Sequence, residues 1–135
     1  MGDFVLDKRL DGDTVHVCDL ELSEVRLMKD SRYEWVVLVP MVADAEEVFD
    51  LSNSDYNTLN EEIKKVASAL KQEFNPTKIN IGALGNIVRQ LHIHIICRND
   101  GDYAWPGPVW GSGEAVPYSE PSLKETVEKV KNLLT

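Results

Sequence analysis

Gln90-Leu91-His92-Ile93-His94-Ile95-Ile96 alternates polar and apolar side chains over the length of a strand. On a strand, residues i, i+2 and i+4 point the same way. Gln90, His92 and His94 therefore share one face, and Leu91, Ile93, Ile95 and Cys97 cover the other with core-type side chains. Two of the chain's 3 histidines are thus set side by side. Imidazole titrates nearest neutrality, so a fixed pair suits proton transfer, nucleophilic attack or metal binding.

Outward from this stretch, the pattern predicts strands over Thr14–Cys18, Leu22–Met28, Trp35–Val39 and Lys78–Gly82. Trp35–Val39 is nearly all apolar and ends at Pro40, as a buried central strand does. The first ten residues carry Phe4, Leu6 and Leu10 between charges and read as an arm packed on the body; Asp11-Gly12-Asp13 reads as a turn. Ser52 to about Glu73 is the clearest helix, with Tyr56, Leu59, Ile63, Val66, Leu70 and Phe74 in one stripe. Ser52 and Asp55 suit its first turn and Asn75-Pro76 stops it. Its outward charges, Glu61, Lys64, Lys65 and Lys71, read as a solvated face. Residues 99–102 read as a solvated turn and 104–118 as an ordered loop. Ser119-Glu120-Pro121 opens a last helix with Leu123, Val127, Val130 and Leu134 inward. Closely spaced strands and two helices predict an α+β fold: an antiparallel sheet of about five strands with helices on one side.

The chain has 135 residues, which predicts one domain over 1–135. Its net charge of −9 argues against a nucleic-acid polymer as partner, since that needs a basic footprint. A small anionic ligand remains compatible, because a nest of backbone amides acts locally. No apolar run approaches the roughly 18 residues of a membrane span. The first residues lack the basic start and apolar centre of a signal peptide. Cys18 and Cys97 match no metal or redox spacing and read as buried, reduced thiols. The expectation is a cytoplasmic protein that does not engage a membrane.

Three readings of the histidine pair follow from the residues. It can be a polar face that happens to hold two imidazoles. It can supply two ligands to zinc, with His16 or an Asp as the third. It can also work with Asn80, Gly82, Gly85 and Asn86 just upstream, where glycines let amides approach an anion and asparagines add uncharged donors. Trp35 reads as core. Trp105 and Trp110, separated by Pro-Gly-Pro-Val, can close the site, form a dimer surface or pin their loop.

Gln90 to His94, with Asn80 and Gly82 upstream and Trp105-Pro106-Gly107-Pro108 downstream, resembles the histidine triad superfamily, whose signature is His-φ-His-φ-His-φ-φ with φ apolar. Arg26-Leu27-Met28, Ala83–Asn86 and Trp105–Gly111 are similar to motifs of a bacterial branch of it. The resemblance implies a nucleotide hydrolase or transferase acting at an α-phosphate, on a phosphoanhydride or phosphoramidate bond, without metal or other cofactor. It implies His92 as the nucleophile of a covalent nucleotidyl-histidine intermediate and His94 as a stabiliser of charge or leaving group. Asn80, Gly82, Gly85, Asn86 and Gln90 would form the substrate-binding set around the phosphate. A homodimer is implied as well. An amide-rich loop suits the charge of a phosphorane-like state, and a carbonyl can hold the far nitrogen of an imidazole nucleophile.

Two departures stand out. The first triad position is Gln90, which keeps the main-chain carbonyl expected to orient His92 but cannot ionise. Galactose-phosphate uridylyltransferases carry glutamine at the last position instead, so their transferase chemistry is not implied. Leu27 stands where an Asp or Asn usually holds ribose hydroxyls, leaving Asp19 and Asp30 as substitutes. The alternatives to this chemistry are a non-catalytic nucleotide-binding regulator and a metal-dependent enzyme using the His92/His94 pair.

Overall fold

The computed structural model describes residues 3–135. Helix α1 (Lys8–Asp13) leads into strands β1 (Thr14–Asp19), β2 (Ser23–Met28) and β3 (Trp35–Pro40). A 3-10 turn at Val48–Asp50 precedes the long helix α2 (Asn53–Phe74), then β4 (Lys78–Gly82), β5 (Ile93–Arg98) and helix α3 (Glu120–Leu134). The expected α+β fold with a five-stranded antiparallel sheet is the one found. Its strand order is β1-β2-β3-β5-β4.

Local chemistry accounts for the helix ends. Ser52 caps α2 by accepting from the Asp55 N–H, and Ser119 caps α3 by accepting from Ser122. Asn75 ends α2 in the left-handed region at φ 48°, sending its N–H to the Lys71 carbonyl. Leu59, Val66 and Leu70 of the stripe are buried, but Tyr56 is largely exposed at its outer end. Helix α1 stands partly where a turn was expected. Asp7 caps it, accepting from the Arg9 N–H at 2.8 Å, and this outweighs the poor helix propensity of Gly12.

The sheet is buried on both faces. On one, α2 and α3 press Leu59, Val66, Leu70, Val130 and Leu134 onto Val25, Leu27, Val36, Leu38, Ile93 and Ile95. On the other, Leu10, Tyr33, Trp35, Val37, Val39, Ile96 and Val109 form a second cluster, joined by Phe4, Leu6 and Trp110. The arm and the loop after β5 supply that cover. This corrects the reading of the histidine face as polar and outward: all six residues of β5 are buried. Strand β5 also begins at Ile93, not Gln90. The Leu91 N–H bonds to the Ala45 carbonyl at 2.9 Å, which takes residues 90–92 out of the ladder. Cys18 and Cys97 are buried free thiols. No helix among the described residues is long and apolar enough to cross a membrane.

Candidate active site

His94 lies on β5 opposite Val37 of β3 and Gly82 of β4, and Asn80 lies opposite Ile96. These positions share the face covered by the arm and the loop. His92 precedes the strand, with its ring centroid 4.9 Å from that of His94. Both rings are nearly inaccessible, 7% and 5% exposed.

Their hydrogen bonds set them in opposite states. His92 Nδ1 lies 2.7 Å from the Gln90 carbonyl oxygen. A carbonyl only accepts, so Nδ1 carries a proton and the neutral ring keeps its lone pair on Nε2. His94 Nδ1 lies 2.9 Å from Trp35 Nε1. An indole only donates, so His94 Nδ1 is bare and the proton sits on Nε2. Burial, reinforced by His92 nearby, pushes the His94 pKa down to about 3. One ring thus offers a lone pair and its neighbour an N–H.

Trp110 stacks edge-on against His94, centroids 5.3 Å apart. Gly82 permits this: a Cβ there would lie 3.0 Å from Cη2 of Trp110. The Trp110 Nε1 is buried without a hydrogen-bond partner among the described residues. Asn80 turns its Oδ1 to Arg98 Nη1 at 2.9 Å, which leaves the amide NH2 as the donating end. Arg98 is itself buried and forks onto Asp102 through Nε (2.9 Å) and Nη2 (2.8 Å). Hydrogen bonds from Arg98 hold the Asp102 carboxyl below its ordinary value.

Gly85 sits in the left-handed region at φ 70° in the loop that follows β4, and Asn86 beside it is exposed. A cavity of about 130 Å³ opens at His92, walled by Gly85, Leu84, Gln90, Arg89 and Val48. A larger cavity of about 640 Å³ lies against α2, with Asp19, Glu61 and Lys65, and touches neither histidine. The chemistry of the pair, not cavity size, marks the candidate site.

Several expected residues do other work or stand elsewhere. The Gln90 side chain binds the arm: its Oε1 accepts from the Asp7 N–H and its Nε2 donates to the Val5 carbonyl, each at 2.8 Å. His16 is on β1, three strands from β5, where it pairs with Asp19 at 2.9 Å. It is not a third ligand beside His92 and His94. Leu27 is wholly in the core. Asp30 is gripped by Arg32 at 2.8 Å, and Asp19 pairs with His16 on β1, three strands from β5. Sequence reasoning missed the Trp35 bond to His94 and the Arg98–Asp102 fork behind Asn80. Trp35 sits in an apolar run that gives no hint of a polar task, and Arg98-Asn99-Asp100-Gly101-Asp102 has the composition of a solvated turn.

A family model of the HIT domain matches residues 9–101. The chain belongs to the HIT domain family. A histidine triad protein from Sinorhizobium meliloti is 47% identical over 97% of each chain, with a TM-score of 0.94. One from Bradyrhizobium japonicum is 40% identical, covering 99% of this chain and 100% of its own, with a TM-score of 0.96. A third, from Marinobacter aquaeolei, is 41% identical over 98% of this chain and 97% of its own, also at 0.96. Among curated proteins no relative matches. The HIT-family core is thus common to these bacterial chains, and this chain spans nearly their full length.

Proposed function

We propose that this HIT protein binds a nucleotide and hydrolyses a phosphoanhydride or phosphoramidate bond at its α-phosphate through an intermediate on His92. The observation that carries this is the pairing of opposite tautomers in two adjacent, buried rings. His92 Nε2 attacks the α-phosphorus, and the bond from phosphorus to the leaving group breaks with its electrons on that group, which takes a proton from water. The His92 ring is then cationic, and the Gln90 carbonyl on its Nδ1–H stabilises that charge. His94 Nε2–H donates to a non-bridging oxygen throughout, a fixed dipole in a water-poor setting. Water then attacks phosphorus, the phosphorus–Nε2 bond breaks with its electrons returning to His92, and the water's proton passes to solvent, replacing the one the leaving group took. The Asn80 NH2 and the amides of the Gly85–Asn86 loop complete the anion's donors.

The same tautomers speak against a metal held by the histidine pair. With Trp35 donating to Nδ1, the Nε2 of His94 bears a proton and has no lone pair for a metal. Buried free thiols fit the reducing cytoplasm as its location. A homodimer fits the edge strand β4 and the loop after it, where Ile81, Leu84 and Ile87 are exposed. Light scattering on the purified chain reads that directly.

Turnover of adenosine phosphoramidates and dinucleoside polyphosphates in the presence of a chelator tests the activity. Turnover that survives the chelator is the expected result. Tight binding without turnover would make the protein a nucleotide-binding regulator. Turnover lost to the chelator and restored by zinc would return the metal reading.

A further inference from the structure

The position that departs from the triad pattern, Gln90, touches two parts of the molecule at once. Its side-chain amide pairs with the N-terminal arm: Oε1 takes the Asp7 N–H and Nε2 gives to the Val5 carbonyl, both at 2.8 Å. One carboxamide thus satisfies a carbonyl and the N–H two residues further on, as the N–H and C=O of one residue in a neighbouring strand would. Its main-chain oxygen meanwhile takes the His92 Nδ1–H at 2.7 Å. A histidine here could not do the first task. Its two ring nitrogens diverge from a rigid ring, with one donor and one acceptor in the neutral form, whereas a carboxamide presents oxygen and NH2 side by side.

The arm has a second hold on the same site. Phe4 and Leu6 face inward onto the cluster of Leu10, Trp35, Val37 and Ile96, while Val5 between them is exposed. Trp35 of that cluster is the donor to His94. The arm thus bonds to Gln90, the acceptor for His92, and packs on the cluster that includes Trp35, the donor to His94.

We propose that Gln90 is a positioning residue that ties the N-terminal arm to His92. The carboxamide anchors the arm, and the anchored arm fixes the orientation of the Gln90 carbonyl that holds the His92 ring. Glutamine at this position then serves arm docking, not substrate contact. The inference uses the His92 role proposed above, but it concerns the state of the ring and is measured without nucleotide.

The test is NMR on the full-length chain, reading exchange of the Asp7 amide together with the tautomer of the His92 ring. In Gln90→Ala, exchange at Asp7 should rise about tenfold or more, the equivalent of one hydrogen bond of about 1.4 kcal/mol. The His92 ring should pass from a single Nδ1-protonated form to a mixture. Leu6→Ala is the second variant, because it loosens the arm without touching Gln90 or His92. It should move the His92 ring in the same direction. Unchanged exchange at Asp7 in Gln90→Ala would overturn the clamp. A loosened arm with an unaltered His92 ring, in either variant, would overturn the coupling. Loss of turnover alone counts toward neither result, so failure of the nucleophile assignment is separately visible in the stereochemical course of hydrolysis.

Discussion

Trp35→Phe isolates the device that sets the state of His94. Phenylalanine keeps most of the apolar ring but removes the indole N–H that His94 Nδ1 accepts at 2.9 Å. In the native protein the opposite tautomer would oppose two N–H groups and forfeit a hydrogen bond. That costs about 2 kcal/mol or more, which holds the minor form below roughly 4%. In the variant this bias vanishes and the Nδ1 of a nearly inaccessible ring is left without its partner. The orphaned acceptor should cost about 1–3 kcal/mol and the lost volume about 1 more. A domain with about 5–15 kcal/mol in hand survives this. Long-range proton–nitrogen NMR reads the tautomers and urea unfolding reads the stability. The expected native spectrum shows His94 bare at Nδ1 and protonated at Nε2 from pH 5 to 8. The variant should show a mixture of the two neutral forms. Native His94 protonated at Nδ1, or a variant with the native tautomer, would refute the reasoning.

Other expectations follow from the same contacts. Asn80→Asp keeps an oxygen for Arg98 but removes the NH2 donor, so nucleotide affinity should fall by about 1–3 kcal/mol in calorimetry while thermal stability holds; Asn80→Ala should lower both. His94 is neutral when folded, with its pKa about 3, and takes a proton near 6.5 when unfolded. The unfolded chain then binds more protons between these values, so stability is full above 6.5 and falls as the solution is acidified toward 3. The loss should reach about 2 kcal/mol between pH 6.5 and pH 5, and a comparison of urea midpoints with His94→Gln should show it missing in the variant. Asp102, held low by Arg98, adds its own loss only below its ordinary value of 3.8.

The sheet and both long helices were legible because their side-chain periods are local: two residues in the strands, three and four in α2 and α3. The pairing of β3 with β5 was not, since the period of Trp35–Val39 says nothing about which distant strand lies beside it. His92 and His94 stood out because two imidazoles at alternate positions are rare. Their burial was hidden, because the rings against His94 are Trp35 of another strand and Trp110 of a loop, and the arm that joins the same face starts the chain. The polarity of Gln90 suggested a solvated face, whereas its amide is spent on Val5 and Asp7. Asn80 was visible as an amide donor, but the buried Arg98 that orients it looked like the start of a surface turn.

If phosphorus passes through His92, the stereochemical course of hydrolysis records it. A nucleotide substrate chiral at an α-phosphorothioate is turned over in isotopically labelled water, and the configuration of the product is determined. Two successive in-line displacements at phosphorus, by His92 and then by water, each invert the centre, so net retention is expected. Net inversion would mean that water attacks the substrate directly, and the covalent role of His92 would be contradicted.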